Sequence, residues 1–437
     1  MLQSYGLFIG FSIYLQKIHN MAKSKLRRKI GCSTALFLLI AAAAFIAMRW
    51  HVWFYNPEEE PYHTPNVPQR VLLTFGNEDE LSRNISWQCG EEVQDSWAEV
   101  NGKRIKATGE VFKSRAGKGA YYVVRLRNLA PDSTYRYRVV TANKASEYYT
   151  FTTQAKGAHP FEFLFVGDVQ DTIGGKANQY LREAISKHPK TEFLISGGDL
   201  TERPIDKYWG ETFRGIDSIA QTMPVLCVTG NHDYLKGVIN QLERRFTLIF
   251  SYFLDSKIWD NQVYTLRYGD AQFFLLDSNR ELPHLLTQRF WLEWHVSRST
   301  ARWKILVLHH PLHSLKGSIN NLFQRWCFDG IVRDYGIDLV LQGHEHAYGR
   351  MTVKNDNGTA TTPVYTVSHC SPKNYKINPG DRFDRIGREG RYYQTIRIGN
   401  DTLTVSAYNV YEHSLFDSVM IIKKTEGSAP SVVEGMR

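Results

Sequence analysis

Apolar residues fall along this chain in three different rhythms. From Gln69 to about Gln154, short runs alternate apolar and polar positions: RVLLTFG, NISWQCG, SWAEVN, YYVVRLRNL, YRYRVVTA and SEYYTFTT, with turn residues between them. A period of two marks half-buried strands, and so many at close spacing predict a small antiparallel sandwich over 69–155. Trp87 is placed as its core tryptophan. From Phe161 the runs become continuously apolar: FEFLFVG, EFLISGG, PVLCVTG, QFFLLDS, KILVLHH and DLVLQG. Several are separated by segments with helical spacing, as at 178–188. Strands buried on both faces read this way, so an α/β domain is expected over 160–425. TIRIG, LTVSAYN and DSVMIIKK add three strands before a tail at 426–437.

The third rhythm is an uninterrupted one. Ile30 to Met48 is uncharged and apolar, 19 residues long. As a helix it would reach about 28 Å, enough to cross a bilayer core. Residues 1–30 carry Lys17, Lys23, Lys25, Arg27, Arg28 and Lys29 and no acidic residue. A basic N-terminal flank favours a cytoplasmic N-terminus with everything after Met48 exported. Arg49 and Trp50 follow directly, with no small-x-small cleavage pattern, so residues 1–50 are expected to form a basic segment and an uncleaved anchor. A long signal peptide, giving a secreted protein, is the alternative. Met21 is a second candidate start. The folded part after Met48 is therefore expected in the periplasm or outside the cell. Residues 51–68 (HVWFYNPEEEPYHTPNVP) have the Pro- and Glu-rich composition of an exposed linker.

Charge removes one class of function. The net charge is +9 over 437 residues, and the six basic residues of the first thirty supply most of it. The remainder is nearly balanced, so no nucleic-acid footprint is expected. The five cysteines (Cys32, Cys89, Cys227, Cys327 and Cys370) show no metal spacing, and no disulfide framework is expected.

Five apolar runs end in ligand-type residues. FVGDVQ supplies Asp168 and Gln170, and ISGGDLTE supplies Asp199. VTGNHDY supplies Asn231, His232 and Asp233; VLHHP supplies His309 and His310; LQGHEHAY supplies His344 and His346. Loops at strand carboxyl ends in an α/β sheet face one crevice. Singly, each cluster is weak: an Asp after a strand is often a helix cap, and a His-x-His pair is often a surface accident. Together they fit a two-metal site, with oxygen and imidazole donors suited to Fe, Mn or Zn.

GD, GGD, GNHD, HxP and GHxHxYxR in this order resemble the calcineurin-type metallophosphoesterases. GHEHAYGR behind a sandwich domain is similar to purple acid phosphatases in particular, and LAPDSTYRYRVV (129–140) resembles the tyrosine corner of fibronectin type III domains. The resemblance covers 69 to about 424. It implies a fibronectin III-like domain followed by a four-layer αββα catalytic domain. It implies that Asp199 bridges two metals, that Asp168 and His346 serve the first, and that Asn231, His309 and His344 serve the second. His309 is chosen over His310 by the His-x-Pro pattern. His232 corresponds to the residue that contacts phosphate and assists the leaving group, with Asp233 orienting its ring. His313 is a candidate for the substrate pocket, against the alternative of a surface histidine.

The chain departs from the family at the first metal. Purple acid phosphatases have GDxxY, whose tyrosine ligates ferric iron; here the last position is Glu202. Other relatives have Asp-x-His where this chain has Asp168-Val169-Gln170. Gln170 then offers an amide oxygen as a neutral ligand, and Glu202 either reaches the metal or simply lies in the loop. The expected activity is hydrolysis of small phosphate monoesters by a metal-bound hydroxide. A phosphodiesterase or pyrophosphatase on the same core is the near alternative, and a non-catalytic metal- or phosphate-binding protein the distant one.

Overall fold

The computed structural model describes residues 33–435 together with Lys23, except for residues 35, 52, 77–78, 253–257, 259–261, 318 and 425–429. Most of the basic cluster expected at the cytoplasmic face, and Cys32, lie outside the described residues. The chain divides into two compact units: residues 1–57 with 236–239, and residues 58–235 with 240–437.

In the first unit, residues 36–51 are helical. Leu36, Phe37, Leu39, Ile40 and Phe45 on this helix are exposed. Among the described residues no helix is long and apolar enough to cross a membrane. Asn56 exchanges hydrogen bonds with the Lys236 backbone, donating to its carbonyl and accepting from its N–H, both at 2.8 Å.

The second unit begins with a two-sheet sandwich between Gln69 and Thr152. Its six expected strands are present. Lys103–Lys106, Thr108–Lys113 and Lys144–Ala145 add three more, which the sequence hid because their positions are mostly solvent-facing and carry no apolar alternation. Trp87 is buried between the sheets and donates from Nε1 to Thr141 Oγ1 at 3.0 Å. The expectation of an exposed linker needs correction from Glu59 onward. Glu59 is buried and pairs with Arg245 at 2.6 Å, while its Oε1 accepts from the Asp206 N–H at 2.6 Å. Thr64 is buried too. Partners from residues far along the chain, invisible in composition, pull this stretch onto the fold.

Two seven-stranded mixed sheets follow. Taking labels from Phe161, the first contains β1 (Phe161–Val166), β2 (Thr191–Ser196) and β3 (Val225–Cys227). The second contains β4 (Tyr264–Tyr268), β5 (Ala271–Leu275), β6 (Trp303–Val307), β7 (Leu339–Gln342), β8 (Tyr348–Lys354), β9 (Ala360–Val367) and β10 (Arg385–Gly387). The chain then returns to the first sheet with β11 (Tyr392–Ile398), β12 (Thr402–Asn409), β13 (Leu415–Ile422) and β14 (Ser431–Glu434). The first sheet runs β3-β2-β1-β11-β12-β13-β14 and the second β4-β5-β6-β7-β9-β8-β10. The 426–437 tail thus contributes an edge strand.

Alternation along each buried strand sorts its side chains between two cores. Phe163 and Phe165 of β1, Phe193 and Ile195 of β2, Phe273 of β5 and Ile305 of β6 fill the space between the sheets. Leu164, Val166 and Leu194 face the other way, onto α1 (Ala177–Lys187), α2 (Asp206–Gly215) and α3 (Arg244–Phe250). Phe274, Leu306 and Val340 likewise meet α4 (Leu282–Arg298) and α5 (Leu322–Asp334). The result is the four-layer αββα arrangement. It buries β1, β2, β5, β6 and β7 on both faces, which is why these runs showed no alternation of polarity.

Candidate metal centre

The carboxyl ends of β1, β2, β6 and β7, with the turn after β3, bring the five motif clusters together. Local backbone geometry aims the donors. Asp168, Asp199, His344 and His346 all have positive φ, at 45°, 53°, 72° and 43°. Non-glycine residues adopt this left-handed region at a cost, and such residues concentrate at functional sites. The neighbouring glycines have a steric reason. A Cβ on Gly230 would strike the Asp199 carboxylate and backbone N, and one on Gly343 would strike Asp168 Oδ2. The Gly-Asn-His-Asp and Gly-His-x-His motifs therefore need glycine for close approach.

Two donor groups result. His309 Nε2 lies 3.1 Å from Asn231 Oδ1 and 3.4 Å from Asp199 Oδ2. His344 Nδ1 lies 2.8 Å from Asn231 Oδ1 and 3.3 Å from His309 Nε2. This is the set expected for the second metal. On the other side His346 Nε2 stands 3.5 Å from Asp168 Oδ1, and the Gln170 amide nitrogen stands 3.1 Å from His346 Nε2. Ligand atoms of Asp168, Asp199 and His309 lie within 4.8 Å of one another, with Asp199 common to both sides.

These residues fit a pair of metal ions. The His309 Nδ1–H donates to the Gly197 carbonyl at 2.7 Å, which turns Nε2 toward the acceptor oxygen of Asn231. With the ring neutral these two atoms are both acceptors, a pair that a shared cation satisfies. Asp168 Oδ1 and Gln170 Oε1 are buried with no hydrogen-bond partner among the described residues, a cost that a cation would remove. The backbone carbonyl of Lys373 fixes the His346 ring through Nδ1 at 3.1 Å, turning Nε2 inward, the outer-sphere arrangement of metal-bound histidines. Burial lowers the His309 pKa, but the Asp199 charge outweighs it and raises the ring to about 9. Burial would raise Asp199, yet His309 and His232 hold it well below the usual carboxylate range. The site is built for positive charge.

His232 sits beside this centre. Its backbone N–H donates to Asp199 Oδ1 at 2.8 Å, and its Nε2 is 4.0 Å from Asp199 Oδ2. Two expectations are corrected here. The ring partner of His232 is the Glu202 carbonyl, which accepts from Nδ1 at 2.6 Å, and not Asp233. Asp233 Oδ2 instead accepts from the Gly230 N–H at 2.7 Å and braces the turn; burial, then the Asp199 charge, push its carboxyl up to about 8. His313 is not in the pocket: it is buried against Tyr365, with Nε2 3.0 Å from Asp329 Oδ1. The Glu202 carboxylate is held by Lys373 Nζ at 2.6 and 2.7 Å, so it lies in the loop as a salt-bridge partner. His310 stands behind the donors, its Nδ1 3.1 Å from Ser278 Oγ.

Four residues near the centre had drawn no attention in the sequence. Glu345, between the two histidines, was visible in the motif as a charge where the surroundings are buried. Lys316 lies on the loop that follows His309, and Lys373 and Tyr375 lie on the segment after β9, which strand order brings here.

Fold and donor set together are similar to those of the metallophosphoesterases, metal-dependent hydrolases with a binuclear centre. Residues 161–348 match the calcineurin-like phosphoesterase family, and residues 68–153 match the purple acid phosphatase N-terminal domain; the chain joins these two in one protein. A purple acid phosphatase of Glycine max is 23% identical over 345 residues, covering 72% of this chain and 71% of the relative. The Fe(3+)-Zn(2+) purple acid phosphatase 12 of Arabidopsis thaliana is 23% identical over 320 residues, covering 65% of each. This chain thus spans about two thirds of the length of such relatives. The structure of purple acid phosphatase PPD1 from yellow lupin (Lupinus luteus) seeds shares the fold, with a TM-score of 0.68 and 16% identity over 82% of this chain and 75% of that one.

Proposed function

We propose that the protein hydrolyses phosphate monoesters as an exported, membrane-anchored enzyme. The observation that carries the catalytic reading is His232, with its Nε2 beside the shared carboxylate Asp199 and its Nδ1 engaged elsewhere. Asp168, His346 and Gln170 would hold one metal, and Asn231, His309 and His344 the other, with Asp199 common to both. When bound, the two ions supply Lewis acidity toward the phosphoryl oxygens and lower the pKa of water. The chain's own residues do the rest. Asp199 fixes the His232 backbone, and the Glu202 carbonyl fixes the ring. The one ring proton free to move is therefore at Nε2, facing the centre. From there it passes to the departing ester oxygen, as general acid catalysis requires.

Support for anchoring comes from the first unit. Its exposed apolar helix ends in Trp50, Trp53 and Tyr55, residues that favour the membrane–water boundary. The Tyr135 hydroxyl, which accepts from the Ala130 N–H at 2.8 Å, supports a fibronectin-like reading of the sandwich. The deciding experiment is hydrolysis of nitrophenyl phosphate, a bis-nitrophenyl diester and pyrophosphate by metal-loaded and chelator-stripped protein. Metal-dependent turnover favouring the monoester is expected. Preference for the diester or pyrophosphate overturns the substrate class, and absence of turnover on all three overturns the enzyme reading.

A further inference from the structure

A three-layer stack covers the first-metal side of the centre. The Tyr375 ring lies on the His346 ring with centroids 4.3 Å apart and 29° between planes. The Lys316 ammonium lies over the Tyr375 ring, 4.1 Å from its centroid. A lysine arm is ordinarily mobile, but here its root is held. Glu345, fully buried between His344 and His346 in the chain, accepts from Ser314 Oγ at 2.5 Å and from the Leu315 N–H. Ser314 Oγ accepts from the Lys316 N–H at 3.0 Å, and the Asn378 N–H donates to the Leu315 carbonyl at 2.7 Å. The carboxylate that sits inside the His-x-His motif thus fastens the loop that carries Lys316.

The charges around the stack differ in their commitments. Lys373, a second lysine on this side, is neutralised by Glu202. Lys316 Nζ makes no ion pair with a described carboxylate; its contact is the face of Tyr375. Its charge is felt across the centre by Asp168, His310 and His344. Burial lowers the Lys316 pKa, and the charges of Glu345 and Asp168 oppose it; Glu345 already accepts hydrogen bonds from Ser314 and Leu315.

We infer that Lys316 is a specificity-determining residue, a fixed cation that receives the second negative charge of a phosphoryl dianion. The inference rests on the phosphomonoester reading and names the residue that selects it. A monoester at neutral pH carries two charges on its phosphoryl group, whereas a diester carries one. A cation held one aromatic ring beyond a metal-ligating histidine favours the former. Tyr375 supplies a polarisable platform that holds the ammonium without neutralising it, as a carboxylate would. Glu345 is the positioning residue behind both.

The test uses the metal-loaded full chain with Lys316→Ala and Lys316→Arg. It measures kcat/KM for nitrophenyl phosphate and for bis-nitrophenyl phosphate, the affinity for inorganic phosphate by calorimetry, and metal content. Lys316→Ala is expected to lower monoester kcat/KM and phosphate affinity roughly 10- to 100-fold, the range for one hydrogen bond to a charged group. Diester turnover and metal content should stay near wild type, and Lys316→Arg should retain most phosphate affinity. Equal losses on both esters, or unchanged phosphate affinity, overturn the inference. A wild-type protein that binds phosphate through Lys316 yet turns over no monoester refutes the phosphatase reading while leaving the role of Lys316 in place.

Discussion

At the scale of single residues, Asp199 and His232 divide the chemistry. Asp199 faces both donor groups and accepts from the His232 N–H, so its negative charge serves two ions and a catalytic loop at once. Asp199→Asn removes that charge and is expected to abolish turnover and reduce metal content, read by elemental analysis. His232→Ala is expected to spare metal content, since Asn231 and not His232 faces the donors. Alkyl phosphates, whose alkoxides need a proton to leave, should lose roughly 10²–10⁴-fold. Nitrophenyl phosphate should lose much less, and equal losses would mean that His232 only shapes its loop. A third expectation concerns pH. In the metal-free protein His309 is raised from 6.5 to about 9, with Asp199 as the partner that stays ionised. A raised folded pKa gives stability that is complete below pH 6.5 and lost as pH climbs through about 9. Metal must displace the same proton, so affinity should rise over that window, by up to about tenfold per pH unit. Thermal melts of the stripped protein and metal titrations from pH 6 to 10 should therefore move in opposite directions.

At the scale of elements, the segment entering the fold is fastened by buried charge. Arg245, at the start of α3, donates to Glu243 at 2.9 Å and to the Pro204 carbonyl at 3.1 Å, and pairs with Glu59 at 2.6 Å. Arg70 in the first strand of the sandwich binds Asp206 at the start of α2 through two hydrogen bonds of 2.7 and 2.9 Å. Arg245, Glu59 and Glu243 are almost entirely removed from solvent. Removing one partner of such a cluster strands the others, which costs about 3–5 kcal/mol. Arg245→Ala should lower stability by that amount in urea unfolding, while the folded fraction keeps its metal content. Unchanged stability would show that water reaches the cluster.

At the scale of the whole molecule, residues 58–235 and 240–437 close into one unit that contains the sandwich, both sheets and every proposed donor. A chain beginning at Glu58 is expected to remain in the aqueous phase on detergent partition and to keep the kcat/KM of the full chain. The full chain should partition with membranes. Loss of activity in the shortened protein, or membrane association that persists without residues 1–57, would refute the division of labour proposed here.

Sequence alone determined the chemistry of the centre. Ligand types follow apolar runs because strand ends point into one crevice, and glycine precedes several of them because close approach forbids a Cβ. That logic is local, so Asp168, Asn231, His309, His344 and His346 were legible, as were the buried strands. Tertiary structure alone decided which neighbours those residues meet. His313 was a candidate for the substrate pocket, yet its loop turns it onto Asp329 and Tyr365. Asp233 lost the His232 ring to a carbonyl thirty positions upstream. Glu59 was assigned to a tether because its charged, proline-flanked context gives no hint of Arg245. Lys316 and Tyr375 carry no motif: Lys316 comes from the loop after β6, and Tyr375 from the segment after β9, which lies between β7 and β8. Periodicity and ligand chemistry act within a few residues, whereas packing and charge pairing are settled by which strands lie side by side.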